Sequence, residues 1–481
     1  MNARCPPGLG AWSQSLEGEA GLLGLAQNTV PSRKHFRPLL GREASTRQTL
    51  VIPRCDSLVL MHREKADIVL IAYHFPPDEA IGAARPYRFY KYLKEAGYRC
   101  HVITASPPPG GAQFDVHFVA DQVAPLWESP RKSPLGLMAL VELLIRKCFI
   151  PGGLGIGWSV KAVACCLAIL RQNRGRRFVL LSSYPPVGVL LAALLVSLLA
   201  RVPWIADFRD PLLTLDAGRF PLANCTSAGL RAITFHRAKA IVANTEPMGD
   251  LWRETFPKAR PKTHVIWNGF DPEDCPRQRE IPTRPYRQLV HAGTLYVGRN
   301  ANLIIESLAR LREVQPETRH IRVLLVGSVG PEAGLDSELY CRAEQEGWLE
   351  FSAKAVPRLE ARRLTESADY LLLLQPQSAL QVPGKLFEYL CIGRPIIALV
   401  PKRSAVEYVL SNAGVPSVCI HPDDDPAIRD QKLSEILQLS STPVLVSAWF
   451  HDLFDARHQA AQLASIIEAV DPGAATAIKD G

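Results

Sequence analysis

Short apolar runs alternate with amphipathic segments along most of this chain. Residues 68–71, Ile-Val-Leu-Ile, form an uninterrupted run, the pattern of a strand buried on both faces. From about Arg85 the period changes: Phe89, Tyr92, Leu93 and Ala96 fall on one side of a helix that Gly97 ends. Further strands are expected at 101–104, 178–181, 203–206, 240–243 and 264–266. Asn268-Gly269-Phe270-Asp271 closes this half, and residues 272–286, rich in proline and charge, read as a linker. A second series begins at 288–292, with a helix over 300–311, strands at 323–326, 370–374 and 396–399, and a closing helix at 456–469. Such alternation predicts a parallel sheet with helices on both faces. Here it predicts an α/β chain of two Rossmann-like doubly wound domains, 65–271 and 287–450, followed by a terminal helical segment, 451–472.

Residues 1–64 mix Gly, Pro, Ser and Arg without period. They read as a disordered leader or a misassigned start, with Met61 as the alternative beginning. The uncharged stretch 178–200 is long enough to span a bilayer. Ser182-Ser183-Tyr184-Pro185-Pro186 breaks it into a strand, a turn and a buried helix from Val187. The apolar stretch 135–144 is too short to span and reads as a core helix, with a membrane-surface helix as the other reading.

Composition narrows the class. Of 481 residues, 47% are apolar and 21% charged, as in a globular protein with a large core. The formal charge of +8 fits anionic ligands or an anionic membrane surface. No Lys/Arg run carries interleaved aromatics, so no nucleic-acid partner is expected. Eleven scattered cysteines without a C-x-x-C pair point to reduced thiols and a cytoplasmic setting.

The chemistry is densest at Val382-Pro383-Gly384-Lys385-Leu386-Phe387-Glu388-Tyr389-Leu390, after the strand at 370–374. A Pro-Gly pair at a helix entry leaves backbone N–H groups pointing outward, where phosphate binds, and Lys385 adds a positive charge there. Glu388 lies one turn further in, placed to grip two ribose hydroxyls. Phosphate end and hydroxyl end together describe a nucleotide-diphosphate site. Glu near a helix start is also favoured by the dipole alone.

Five blocks in order resemble the retaining GT-B glycosyltransferases of family four. They are His74-Phe75-Pro76-Pro77 with Gly82; Ala206-Asp207-Phe208-Arg209-Asp210-Pro211, similar to a bacterial surface-polysaccharide branch; Asn268 to Asp271; Gly293-Thr294-Leu295 with Arg299; and the Pro383-to-Leu390 helix. The resemblance implies two domains facing across a cleft, with the terminal helix crossing back to the first. It implies metal-independent transfer of a hexosyl group from a nucleotide-sugar, with retention of configuration and no cofactor. The acceptor would be a glycan or lipid-linked sugar at the inner membrane face, with peripheral membrane contact.

Under that resemblance Gly82, Gly293, Thr294, Arg299, Gly384, Lys385 and Glu388 handle the donor and its phosphates. Asp207 and Asp210 join Glu388 as catalytic candidates, accepting the acceptor proton or holding a sugar hydroxyl, and Arg209 takes an acceptor phosphate. An internal salt-bridge cluster is the other reading of Asp207, Arg209 and Asp210. Asp423-Asp424-Asp425 has the look of a metal triplet, but its place between Pro422 and Pro426 reads as a surface loop, so no metal is expected. The chain departs from the family at Leu380, where a carboxylate for the donor sugar is usual; Gln375, Gln377, Ser378 or backbone groups are substitutes. His74 and His291 read as structural. Gly153, Gly155 and Gly157 lack dinucleotide spacing. The rival readings are a nucleotide-sugar 2-epimerase on the same fold and a non-catalytic nucleotide-binding subunit.

Overall fold

The computed structural model describes residues 64–78, 81–107, 115–121, 155–212, 221–275, 281–330, 332–471 and 473. The leader, the apolar stretch 135–144 and Gly153 lie outside the described residues.

The first half contains β1 (Asp67–Ile71), α1 (Ile81–Glu95), β2 (Cys100–Thr104), β3 (Val116–Phe118), α2 (Ile156–Gln172), β4 (Phe178–Tyr184), α3 (Val187–Leu199), β5 (Trp204–Phe208), α4 (Pro221–Arg237), β6 (Ala240–Ala243), α5 (Glu246–Thr255) and β7 (Thr263–Val265). The second contains β8 (Arg287–Ala292), α6 (Asn302–Val314), β9 (Ile321–Val326), α7 (Ser337–Gln345), β10 (Leu349–Ser352), α8 (Arg358–Glu366), β11 (Tyr370–Leu374), α9 (Lys385–Ile392), β12 (Ile396–Leu399), α10 (Ala405–Ala413), β13 (Ser417–Ile420) and α11 (Pro426–Leu437). Two helices follow, α12 (Ala448–Phe454) and α13 (Ala456–Val470).

Among the described residues all paired strands run parallel. The seven-stranded sheet runs β3-β2-β1-β4-β5-β6-β7 and the six-stranded sheet β10-β9-β8-β11-β12-β13. Strand order therefore reverses between β1 and β4 in the first sheet and between β8 and β11 in the second. Those reversals open crevices at the carboxyl ends of the strands, where doubly wound sheets bind ligands.

Alternate residues of β1 serve opposite faces, as the pleat requires. Val69 and Ile71 join a core with Trp158 of α2 and Val189 of α3. Ile68 and Leu70 join another with Phe89 of α1 and Leu463, Ile466 and Ile467 of α13. The terminal helix thus packs on the first sheet, where Tyr98 donates to Glu468 at 2.9 Å. The second sheet covers its face with Leu386 and Leu390 of α9 against Leu371 and Leu373 of β11.

Three strands have no counterpart in the sequence expectations: β3, β10 and β13. Each lies at a sheet edge and is exposed or half-buried along most of its length, so no continuous apolar run marks it. Helix α1 starts at Ile81, earlier than the expected Arg85, and so takes in Gly82. Helix α6 starts later than expected, at Asn302. Gly157 falls inside α2, with Gly155 as its N-cap.

Candidate active site

The second crevice gathers most of the donor candidates. The chain leaves β8 at Ala292 and turns through Gly293, while α9, reached from β11, begins at Lys385. The Lys385 side chain turns back so that Nζ donates to the Ala292 carbonyl. A Cβ at position 293 would overlap that Nζ, and one at Gly327 would overlap the Gly293 carbonyl. Glycine at 293 therefore lets a cation lie directly on the turn.

Arg299 enters from the same loop. It donates to the Gln375 Oε1 just beyond β11 and lies 4.6 Å from the Tyr296 ring. Between them Val297 is held at φ 39°, a left-handed conformation costly for a β-branched residue. Thr294 Oγ1 is 3.0 Å from Ser328 Oγ, at the exposed rim. Beneath the loop lies His291, only 4% exposed. Its Nδ1 donates to the Leu372 carbonyl at 2.9 Å; burial first, then Lys385, pushes the ring down to about 3, so it is neutral.

Gly384 caps α9; the Leu386 and Phe387 amides donate to the carbonyls of Pro383 and Gly384 at 3.0 and 3.2 Å, which leaves the Gly384 and Lys385 N–H groups as the donors at the helix start. Glu388, one turn in, pairs with Arg358 of α8 at 3.3 Å and is half-buried. Gly293, Arg299, Gly384, Lys385 and Glu388 thus come together at the reversal between β8 and β11. Gln375, one of the expected substitutes for the missing carboxylate, is engaged by Arg299.

Burial pulls Lys385 down from the usual lysine value to about 8; Glu388 opposes the shift and Arg299 adds to it. The ammonium is therefore lost as pH rises through about 8. A diphosphate placed against Nζ would hold the proton on, so its affinity should be full below that pH and decline above it. Titration calorimetry across this range should show nucleotide affinity falling and proton uptake on binding rising as the solution becomes more alkaline. An affinity flat through this window would contradict the placement of Lys385 against phosphate.

The first crevice differs from expectation. Asp207 is fully buried, and it is not presented to the cleft as an acceptor-side group would be. Arg85 Nε reaches both carboxylate oxygens at 3.1 Å and Nη2 reaches Oδ1 at 2.7 Å. Ser183, opposite Asp207 in the β4/β5 register, donates to Oδ2 at 3.0 Å. Arg85 also donates to the carbonyls of Ile266 and Trp267 at 2.8 and 2.7 Å. The pair is a buried brace joining α1, β5 and the segment after β7.

Arg209 is likewise occupied, differing from the expected phosphate ligand. It donates to the carbonyls of Tyr184, Gly82 and Pro185. Pro86 explains the Gly82 contact: proline has no N–H for the carbonyl four residues back, and the guanidinium fills the gap. Gly82 is therefore tied into the loop framework through its carbonyl.

Asp210 does face the second domain. It accepts from Gln381 Nε2 at 2.6 Å, while Thr245 Oγ1 donates to the Leu380 carbonyl at 2.6 Å. These two contacts join the first domain to the segment that leads into α9. His74 pairs with Asp78 at 2.6 Å within its own loop. In the acidic triplet, Asp424 is buried rather than on the surface and holds Lys432 at 2.7 Å. Asp423 pairs with Lys402, and Asp425 caps α11.

Sequence reading missed Arg85, Arg358, Thr245 and Gln381. Arg85 carried a signal: it falls on the apolar face with Phe89 and Tyr92, a place that demands a buried partner. The others gained meaning only when distant segments met.

Two α/β domains with parallel sheets, each with its reversal crevice, define the GT-B fold. Residues 82–274 match the family model described as Glycosyltransferase Family 4. No curated protein matches the sequence. A sucrose-phosphate synthase from Thermosynechococcus elongatus is similar in fold, with a TM-score of 0.55 at 14% identity over 84% of this chain and 99% of that one. Anabaena HepE in complex with UDP and glucose gives 0.53 at 15%, covering 84% and 100%. A glycosyltransferase from Rickettsia africae gives 0.54 at 13%, covering 84% and 98%.

Proposed function

We infer that the protein is a glycosyltransferase that moves a sugar from a nucleotide-diphosphate sugar to a glycan or lipid-linked acceptor. The observation that carries this reading is the convergence of Gly293, Arg299, Lys385 and Glu388 at one crevice. The family-model match over 82–274 and the UDP-binding structural neighbour support it.

Breaking the sugar–phosphate bond builds negative charge on the leaving diphosphate. Arg299, Lys385 and the amides at the start of α9 are fixed in place to stabilise that charge, which preorganised groups do without reorganisation. These cations take the part a metal plays elsewhere, so the reaction is metal-independent. Glu388 takes the ribose hydroxyls, exchanging its Arg358 partner for them. The sugar then lies toward Leu380 and Gln381, where backbone groups stand in for the absent carboxylate. Asp210, on the facing domain, holds an acceptor or sugar hydroxyl. Transfer with retention, in the building of cell-surface polysaccharide at the cytoplasmic membrane face, is the setting that the resemblance of the 206–211 block supports.

Asp210→Asn should fold as the wild type does and bind nucleotide normally. It should lose roughly ten- to a hundredfold in kcat/KM, the worth of one hydrogen bond to a charged group. Incubating nucleotide-sugars with and without a glycan acceptor tests the reaction itself: acceptor-dependent release of nucleotide supports transfer, whereas isomerisation of the donor alone would overturn it.

A further inference from the structure

We propose that His291 is a positioning residue for Lys385, its Nε2 lone pair accepting an N–H of the ammonium that meets the donor diphosphate. This role rests on reading the second crevice as a diphosphate site. It gives a task to a histidine that the sequence alone presents as structural.

His291 stands where the second sheet parts. The β8–β11 pairing joins Leu289 to Tyr370 and Val290 to Leu371, and goes no further. One residue on, the imidazole takes over from the backbone, and Nδ1 donates to the Leu372 carbonyl at 2.9 Å. A carbonyl can only accept, so this bond places the single proton of the neutral ring on Nδ1. Nε2 is left with a lone pair. The residue is 4% exposed, and Nε2 has no hydrogen-bond partner. A buried acceptor left without a donor is costly, and it calls for a donor close by.

The donor at hand is Lys385. A Cβ at position 293 would overlap Lys385 Nζ and lie 3.4 Å from His291 Nε2, so both nitrogens flank one point of the backbone. The backbone there cannot serve. The Gly293 carbonyl beside the ring is itself an acceptor, and the Gly293 amide is spent on the Val326 carbonyl at 2.7 Å. Lys385 Nζ has three N–H groups, of which one goes to the Ala292 carbonyl. A small swing of its flexible stem brings a second onto Nε2 and leaves the third for a phosphate. Unlike a carboxylate, a neutral imidazole orients the ammonium without cancelling its charge, and it favours the charged form against burial. The charges around the ammonium are Glu388 on α9 itself and Arg299 from the loop after β8. Tyr389, also on α9, is buried, and burial holds its hydroxyl above the ordinary value and neutral.

The test compares His291→Asn with His291→Gln in the full chain. The Asn amide stands at the place of Nδ1 and keeps a donor for Leu372. The Gln amide reaches the place of Nε2 and keeps an acceptor for Lys385. Acetic anhydride labelling of Lys385, read by peptide mass spectrometry across pH, gives the midpoint of its titration without nucleotide. Taking an acceptor away from the ammonium lowers that midpoint. His291→Asn should therefore melt close to wild type, while its midpoint falls about one to two pH units below the wild-type value of about 8, the worth of one hydrogen bond to a charged group. His291→Gln should melt earlier yet hold the wild-type midpoint. An Asn variant with the wild-type midpoint, or the same shift in both variants, would overturn the role and reduce His291 to a strut between β8 and β11. Nitrogen NMR of labelled histidine in wild type and Lys385→Met covers a variant that does not fold. The Nε2 resonance should move downfield when the ammonium is removed, and a resonance that stays in place would overturn the role equally. Both readouts use the free protein. Binding of UDP- and GDP-sugars is titrated separately, so a failure of the nucleotide reading is distinguishable from a failure of this one.

Discussion

Asp207→Ala should destabilise the protein by about 3–5 kcal/mol, the cost of leaving one charge of a buried pair without its partner. Arg85 and Asp207 are 3% and 0% exposed, so water cannot replace the lost carboxylate. The two carbonyls that Arg85 also reaches, of Ile266 and Trp267, supply dipoles but no charge. Against a total stability of about 5–15 kcal/mol for a folded domain, the loss is severe. Urea melts followed by circular dichroism measure it. The double replacement Arg85→Met with Asp207→Leu should recover much of the loss, because an apolar pair removes the uncompensated cation. A stable Asp207→Ala protein that binds nucleotide and has merely lost turnover would instead return Asp207 to the acceptor site.

The second large effect concerns the leaving group. Arg299→Ala and Lys385→Ala should each lower kcat by roughly 10²–10³-fold, about 2.7–4 kcal/mol, as removal of one preorganised donor to developing charge does. Binding of the intact donor should suffer less, since full charge appears only as the bond breaks. Lys385→Arg should rescue poorly: the Gly293 turn accommodates a slim ammonium, and a guanidinium is wider and rigid. Arg299→Lys should rescue in part, keeping the charge while losing the fork that engages Gln375.

The central strands were legible because burial on both faces writes a continuous apolar run. Residues 240–243, 370–374 and 396–399 match the observed β6, β11 and β12. Of the four edge strands only β7 was expected, at 264–266; β3, β10 and β13 are short and half-exposed and were missed. The meeting of Gly293, Arg299 and Lys385 could be anticipated because its parts are local motifs, a glycine after a strand and a cation at a helix start. The Ala206-to-Pro211 block was harder. Asp207 and Asp210 are three positions apart, yet one is braced by an arginine 122 residues away and the other meets a glutamine 171 residues away. Nothing in the hexapeptide distinguishes them. That difference arises only when α1 and the segment before α9 arrive from opposite directions, and strand order alone sets where they arrive.

The proposed transfer requires the crevice between β8 and β11 to bind a nucleotide-diphosphate sugar. The direct measurement is thermal-shift and calorimetric binding of UDP- and GDP-sugars to wild type and Glu388→Ala. Stabilisation by one nucleotide class, lost or sharply weakened in the variant, is the predicted result. A folded wild type that responds to no nucleotide, or a Glu388→Ala protein that binds as tightly as wild type, would contradict it.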